Sequence, residues 1–309
     1  MTTERKPKVS IGLPVFNAER YLWLALESLL GQDYGNFELI ISDNASTDAT
    51  VEICHNYMSR DNRIRFYRNE RNLGAARNFN LVLELSTGEY FMWAAHDDVW
   101  DPSYVRKCVA KLEEHPGAVL SYSGIRFIDE NGGDRNIVYS DIQTLGMDIP
   151  ERVHMLLTSD NCCPIYGVIR RKALMKTRLL TGLFGLDVIL MLELLLLGDF
   201  VKVPEQLFYY RFPTQGKTLL DYMALINPAK DNPSKTPFSD LARELLRVIN
   251  NSNLDKSTKF EILADFVEVM SFYNLGWRGA LLRENLNTLE PIADPQQMRE
   301  FVLRVLTST

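Results

Sequence analysis

The sequence predicts an α/β protein: a doubly wound, mostly parallel sheet flanked by helices, with a small helical appendage at its C-terminal end. Three observations carry this. Short apolar runs alternate with helix-spaced stretches through the first hundred residues, giving the order β-α-β-α-β-α-β expected of right-handed crossovers. The run Tyr90 to Ala95 is apolar without alternation, as in a strand covered on both faces. The ends of three strands present Asn17, Asp43 and Asp97, which puts them on the one rim where open α/β sheets bind ligands.

Val9 to Leu13 is the first strand. Pro14 to Asn17 breaks it, and Asn17 is expected to cap a helix from about Ala18 to Leu30 with Leu22, Ala25, Leu26, Leu29 and Leu30 on one face. Phe37 to Ile41 is the second strand; its polar exit, Ser42 to Asp48, leads into a helix ending near Arg60. Arg63 to Tyr67 is a third, shorter strand, and Asn72 to Asn78 opens a helix running to about Leu85. The strand begun at Gly88 ends in Asp97 and Asp98, and Asp101-Pro102 reads as the cap and first residue of a helix over Tyr104 to Glu114.

Ala118 to Phe127 is a further strand, residues 129–133 a turn and residues 138–150 a surface loop. Glu151 to Leu157 is helical, Pro164 to Arg170 extended, and Arg171 to Thr177 a short helix. Gly185 to Leu197 is apolar nearly all round, hence a buried helix, with Asp187 in its first turn where the dipole favours a carboxylate. Phe200 to Val203 and Leu207 to Arg211 are two final strands. Phe212 to Asp240, broken by four prolines and Gly216, reads as a long connection of the lid or linker kind. Amphipathic spacing then predicts helices over Ser239 to Ile249, Ser257 to Tyr273 and Pro295 to Leu306. The expected division is a catalytic domain at 1–236 and a helical appendage at 237–309.

Composition narrows the function. With 46% hydrophobic and 24% charged residues, the 309-residue chain is ordinary for a globular protein. A formal net charge of −6 argues against nucleic acid as a partner. Residues 1–8 are polar and no secretory pattern follows; the longest apolar run, Leu186 to Leu197, is interrupted by Asp187 and Glu193 and is too short to span a bilayer. A peripheral membrane contact stays open. The four cysteines include the adjacent Cys162-Cys163 but no C-x-x-C pair, which predicts reduced thiols and a cytoplasmic location. None of the four histidines has zinc-site spacing.

The chain has neither G-x-G-x-x-G nor G-x-x-x-x-G-K-[ST], so phosphate at the strand rim must be held by a metal and side chains. Asp97 and Asp98 suit a hard divalent cation that also binds phosphate oxygens. Read alone, they serve equally well as turn and cap residues.

Assembled in order, these stretches resemble family-two glycosyltransferases of the GT-A fold over about residues 8 to 212. Val9 to Asn17 is similar to the family's opening strand and P-x-Y-N turn, with Phe16 replacing Tyr; residues 43–48 resemble D-D-G-S-T-D; and residues 72–78 resemble N-x-G-x-x-x-A-R-N, one residue shorter. Residues 88–100 match the strand that ends in the D-x-D metal motif, and Leu186-Asp187 with residues 203–211 resembles the E-D motif and closing strand.

The resemblance implies transfer of a sugar, with inversion, from a nucleotide diphosphate donor, read as a UDP-sugar, to an acceptor hydroxyl. Carried over, Asp43 and Asn44 would meet the base, Pro14, Val15, Phe16 and Asn17 would wall the base and ribose site, and Glu19 would sit beside them or act as a first-turn helix acid. Arg77 would reach the diphosphate or stand on a solvated helix face. Asp97 would ligate Mn²⁺ or Mg²⁺, with Asp98 as second ligand or as a hold on the donor sugar. Asp187 would be the general base, while Tyr166, Gly167 and Arg211 would border the acceptor, Arg211 serving equally as a structural ion pair. The implied acceptor is a glycan or lipid-linked glycan of surface polysaccharide assembly, and the amphipathic appendage leaves room for a homodimer.

Two departures stand out. Ala95 occupies the usual first position of the acidic motif and is followed by His96, which would substitute as ligand or donor contact; the E-D pair is Leu-Asp here. Ala95 motivates one alternative, a nucleotide-sugar-binding module without turnover. The other, a sugar nucleotidyltransferase, is disfavoured because Pro14 to Asn17 carries neither glycine nor lysine.

Overall fold

The computed structural model describes residues 8–159, 161–212, 218–226, 234–285 and 294–307. Strands β1 (Val9–Val15), β2 (Phe37–Asp43), β3 (Ile64–Arg68) and β4 (Tyr90–Trp93) form one half of a single sheet, all paired in parallel in the order β3-β2-β1-β4. The crossovers are the helices α1 (Leu22–Leu30), α2 (Thr50–Met58) and α3 (Ala75–Glu84). The second half continues from β4 through β7 (Val168–Arg170), β6 (Ala118–Ile128) and β8 (Asp199–Arg211) to β5 (Val99–Trp100). Here β7 runs antiparallel to both β4 and β6, β6 and β8 are parallel, and β5 pairs antiparallel with the end of β8.

The sheet separates two cores. Ile11 and Leu13 of β1 and Tyr90 and Met92 of β4 face α1 and α4 (Tyr104–Glu114), packing on Leu22, Leu26, Val105 and Cys108. The alternate residues of β4, Phe91 and Trp93, face α3, α5 (Ile149–Thr158) and α7 (Leu186–Leu195). Every residue of β1, β2 and β4 is buried, which is why these strands read as mostly apolar runs, broken only by Ser10 in β1 and by Glu38, Ser42 and Asp43 in β2. At the edge away from the strand exits, Glu38 of β2 accepts from the Ser10 hydroxyl and the Thr87 amide and pairs with Lys8 and Arg65, fastening the parallel strands together.

After β7 the short α6 (Arg171–Leu174) leads to α7, six of whose ten residues are buried. Gly185 starts that helix at φ 71°, and a Cβ there would fall 2.3 Å from Leu241 Cδ2, so only glycine lets α7 seat against α9 (Pro237–Asn251). The remaining helices, α8 (Leu219–Ile226), α10 (Lys256–Glu268), α11 (Leu275–Glu284) and α12 (Pro295–Thr307), follow in sequence order, a π-helical turn over Val269–Tyr273 joining α10 to α11. Residues of α9 to α12 join the same core as α5 and α7. Among the described residues no helix is long and apolar enough to cross a membrane, and all four cysteines are free thiols.

Several local expectations are corrected. Asn17 does not cap a helix: it sits at φ 47° and α1 begins at Leu22, because residues 17–19 are tied to the loop after β2. The two final strands are one continuous strand, with its register against β6 shifted around Gly124. The connection after β8 holds α8; its residues 213–217 and 227–233 lie outside the described residues. Strand β5 and helix α11 were not anticipated.

Candidate active site

The exits of β1 and β2 are built as one piece. Val15 pairs with Asp43, and the Asn44 amide donates to the Val15 carbonyl at 2.9 Å. Asn17 donates its amide to Ser46 Oγ and accepts from the Thr47 amide, both at 2.9 Å, while Glu19 accepts from the Ala49 amide at 3.0 Å. Asp43 is fully buried, accepts from the Ser46 amide and pairs with Arg68 Nε at 3.2 Å. Asn44 Oδ1 accepts from Asn69 Nδ2 and the Leu73 amide, and its Nδ2 donates to Asn72, so the Asn72–Asn78 stretch braces this loop. Pro14 and Val15 are buried in the strand, Phe16 is half-buried at its exit and Asn17 is exposed. Arg77 lies apart, on the exposed face of α3, paired with Glu84 at 2.6 Å.

The second sector is the loop between β4 and β5. Asp98 is 1% exposed. Its Oδ1 accepts from the Arg211 amide at 2.7 Å, and its Oδ2 is buried with no hydrogen-bond partner. Burial, reinforced by the adjacent Asp97, holds the Asp98 carboxyl well above the usual carboxylate range despite Arg211. Asp97 is half-buried, as is His96, whose Nδ1 is buried without a partner.

Arg211, expected beside the acceptor, is spent on this loop. Its Nε donates to the Asp97 carbonyl and its Nη1 to the Asp129 carbonyl, each at 2.8 Å, and its guanidinium lies 4.4 Å from the Tyr21 ring centroid. It thus ties the acidic loop to the chain between β1 and α1, joining the two sectors.

The third sector is a cleft of about 650 Å³ with Asp187 in its wall. Asp187 Oδ1 accepts from the Val188 amide at 2.9 Å. Burial raises its pKa above the ordinary aspartate value, against smaller opposing effects of hydrogen bonds from backbone and the Cys162 thiol. Cys163, Tyr166 and Tyr210 also line the cleft. Burial pushes the Cys163 thiol up, and both Asp98 and Asp187 act on it in the same direction. The Tyr166 and Tyr210 hydroxyls are raised by burial and further by Asp97 and Asp98. Asp97 and Asp98 thus act electrostatically on side chains that line the Asp187 cleft, without lining it themselves. Gly167 lies behind this lining, its Cα packed so that a Cβ would meet the Ser121 carbonyl at 2.6 Å.

The structure thus places Asp187 and Tyr166 in the wall of one cleft; Asp97 and Asp98 do not line it but act electrostatically on its Tyr166 and Tyr210, and Pro14 to Glu19, Asp43 and Asn44 stand together at the exits of β1 and β2. Sequence reasoning did not place Tyr210 or Arg68 at the site and read Cys162 and Cys163 only as reduced thiols. Tyr210 carried a signal in its place at the end of the closing strand, whereas Arg68 carried none. Among the described residues no three His, Cys, Asp or Glu side chains converge as a metal cage. Two adjacent carboxylates, one with an unpartnered buried oxygen, instead fit a cation that takes its remaining ligands from a diphosphate and water.

With this geometry established, comparison with known proteins is decisive at the family level. The family model described as "Glycosyl transferase family 2" matches residues 10–178, more than half of the chain. The chain belongs to glycosyl transferase family 2. It is similar to EpsE of Bacillus subtilis, which carries a glycosyltransferase name, at 38% identity over 127 residues, 41% of this chain and 46% of EpsE. It is 30% identical over 124 residues to glycosyltransferase GlyG of Streptococcus pneumoniae serotype 4, 40% of this chain and 41% of GlyG. The matches thus span about half or less of these relatives' own length. Among solved structures, S. aureus TarS 1-349 in complex with UDP-GlcNAc superposes at a TM-score of 0.68 with 19% identity, covering 97% of this chain and 81% of TarS 1-349. The mannosyltransferase PcManGT of Pyrobaculum calidifontis, in complex with GDP-Man and Mn²⁺, gives 0.57 at 13% identity, covering 97% and 86%. These likenesses show the fold, a mostly parallel GT-A sheet flanked by helices with further helices at the C-terminal end.

Proposed function

We propose that this chain is an inverting glycosyltransferase moving a sugar from a UDP-sugar to an acceptor hydroxyl, with Asp187 as general base. The observation that carries the reading is that the half-buried Asp187, of raised pKa, lines one cleft with Cys163, Tyr166 and Tyr210, side chains on which the acidic loop also acts electrostatically. Inverting transfer needs a base on one side of the anomeric carbon and charge stabilisation of the leaving group on the other.

The β1 and β2 exits would hold the nucleoside: Pro14 to Asn17 form the wall, and Asp43, fully buried under Arg68 and the Ser46 amide, would meet the base as Arg68 gives way to it. Asp97 and Asp98 would hold Mn²⁺ or Mg²⁺, which supplies neutralisation of charge on the diphosphate. The acceptor oxygen bonds to the anomeric carbon as the bond from that carbon to the diphosphate oxygen breaks; the hydroxyl proton passes to Asp187, and the nucleoside diphosphate leaves. Asp187 can accept it because its raised pKa makes it a stronger base than a solvated aspartate. The bound UDP-GlcNAc of S. aureus TarS and the bound Mn²⁺ of PcManGT support the donor class and the metal by analogy of fold. On this reading residues 1–236 are the catalytic unit, residues 237–309 an appendage, and the acceptor a glycan or lipid-linked glycan made at the cytoplasmic side.

The test is turnover of a panel of UDP-α-sugars with Mn²⁺, followed by proton NMR of the first sugar released to water. Initial appearance of the β-anomer supports inversion at a base-activated oxygen; initial α-anomer, or no turnover of any nucleotide sugar, overturns it.

A further inference from the structure

Asp187 is delivered by a loop that runs along the cleft before α7 begins: Leu180, Phe184, Gly185 and Leu186 all line the cavity ahead of it. At the start of that loop Leu179 stands at φ 61°, a left-handed backbone that is strained for a residue carrying a Cβ and persists only where its surroundings over-determine it. Two sets of contacts do so. Before it, Arg178 donates its amide to Glu193 of α7 at 2.8 Å, and its guanidinium pairs with Glu193 and with the buried Glu244 of α9. After it, Asn80 of α3 grips the backbone of Leu180 twice. Its Oδ1 accepts from the Leu180 amide at 3.1 Å, and its Nδ2 donates to the Leu180 carbonyl at 2.9 Å. Asparagine is a weak helix former, and here at mid-helix its amide is used on the loop rather than on α3.

The two residues before Asn80 reach the other sectors of the site. Asn78 donates to the Ser42 carbonyl at 2.9 Å and accepts from Ser42 Oγ at 2.6 Å and Asn69 Nδ2 at 3.0 Å, bracing the exit of β2 that carries Asp43. The Phe79 carbonyl accepts from Trp93 Nε1 at 2.9 Å, at the end of β4 where the acidic loop begins. Three successive residues of one helix thus fasten the nucleoside side, the strand behind the acidic loop and the chain that delivers the base.

We propose that Asn80 is a positioning residue for the base: by gripping Leu180 from the helix that also braces the nucleoside site, it sets Asp187 against the bound donor. This rests on the glycosyltransferase reading above and adds a residue that acts on the reaction through Asp187 alone. Proton transfer depends on reach, and a displacement of about 1 Å costs about 100-fold in rate. Donor binding is made at the strand exits and the acidic loop, to which Leu180 contributes nothing.

The test compares the full-length parent, Asn80→Ala, Asp187→Asn and the double variant in release of UDP from the UDP-sugar that the parent turns over fastest, with Mn²⁺. Each is assayed well below its melting temperature. Asn80→Ala should lose about 10- to 100-fold in kcat, with KM for the UDP-sugar and Kd for UDP changed less than about twofold. In the Asp187→Asn background the same substitution should cost less than about twofold, because residues that act as a unit are not additive. Should alanine prevent folding, Asn80→Asp, which still accepts from the Leu180 amide but no longer donates to its carbonyl, carries the same expectations. Unchanged kcat beside a lowered melting temperature is the mark of a purely structural contact and would overturn the inference. So would an equal fall in UDP affinity, or the same loss of kcat with and without Asp187. Parental turnover matched by Asn80→Ala sinks the positioning role alone; a parent that turns over no nucleotide sugar sinks the glycosyltransferase reading and this inference with it.

Discussion

Replacing Asp187 by asparagine isolates the base from everything else the residue does. The amide oxygen can still accept from Val188 N–H, now at 2.9 Å, so the start of α7 is kept, and the buried position no longer has to carry charge. The folded state should therefore change by less than about 1 kcal/mol, within the ordinary range for a shape-conserving substitution. The lost function is acceptance of a proton. A positioned general base contributes roughly 10²- to 10⁴-fold, or about 3 to 5 kcal/mol of the barrier. The assay is release of UDP from a UDP-sugar with water as acceptor, over a range of pH. In the parent enzyme kcat/KM should climb with pH as Asp187 ionises, with a midpoint displaced above that of an ordinary aspartate because burial disfavours the charge. Asp187→Asn should lose at least about 100-fold in kcat, keep its UDP affinity, and lose that acidic limb. A variant keeping a third of parental activity, or the same limb at reduced rate, would show that the proton goes elsewhere.

Other perturbations test other parts of the site. Asp97→Ala should weaken Mn²⁺ binding by more than the roughly 10- to 100-fold that loss of a mere supporting contact costs metal sites, read by titration in the presence of UDP; unchanged affinity would place the metal elsewhere. Arg211→Lys cannot reproduce two guanidinium hydrogen bonds to carbonyls and the stacking on Tyr21, and should lower stability by about 3 kcal/mol in urea and loosen the acidic loop, measured as weaker Mn²⁺ binding. For Glu38, burial favours the neutral form, but the Ser10 and Thr87 donors and Lys8 outweigh it and lower its pKa to about 2 from 4.5. A depressed carboxylate stabilises the fold above its unfolded pKa and loses that contribution as pH falls through 4.5 toward 2. Glu38→Gln should thus cost about 2 to 3 kcal/mol at pH 7 and progressively less at pH 4 and pH 3 in urea melts; a pH-independent difference would mean the ionised carboxylate is not what matters.

What could be read from the chain alone follows from where its interactions lie. β1, β2 and β4 are buried on both faces, so most of their residues are apolar, and the polar positions at their exits, Asn17, Asp43 and Asp97, announced the rim. Asp187 was singled out by the likeness of Leu186-Asp187 to the E-D motif; composition alone would have ranked Glu193 of the same helix beside it. Asn17 was misread as a helix cap because the partners of its turn, Ser46 and Thr47, lie 29 and 30 residues away. For Arg211 the sequence left a structural role and a place at the acceptor equally open, because its ring and carbonyl partners, Tyr21, Asp97 and Asp129, are brought to it only by the fold. Strand β5 has two residues, too few for any periodicity, and exists because the end of β8 offers it an edge. Helix α8 was hidden among prolines, and its apolar residues pack on nothing that sequence could have paired with them.

The central claim is that the strand rim and the acidic loop form one nucleotide-sugar site around a cation. Calorimetric titration of UDP-GlcNAc into the full chain, with Mn²⁺ and with a chelator, tests it most directly. The account predicts stoichiometric binding that requires the cation and is lost in Asp97→Ala; equal affinity with and without metal, or no binding of this or any other UDP-sugar, would contradict it.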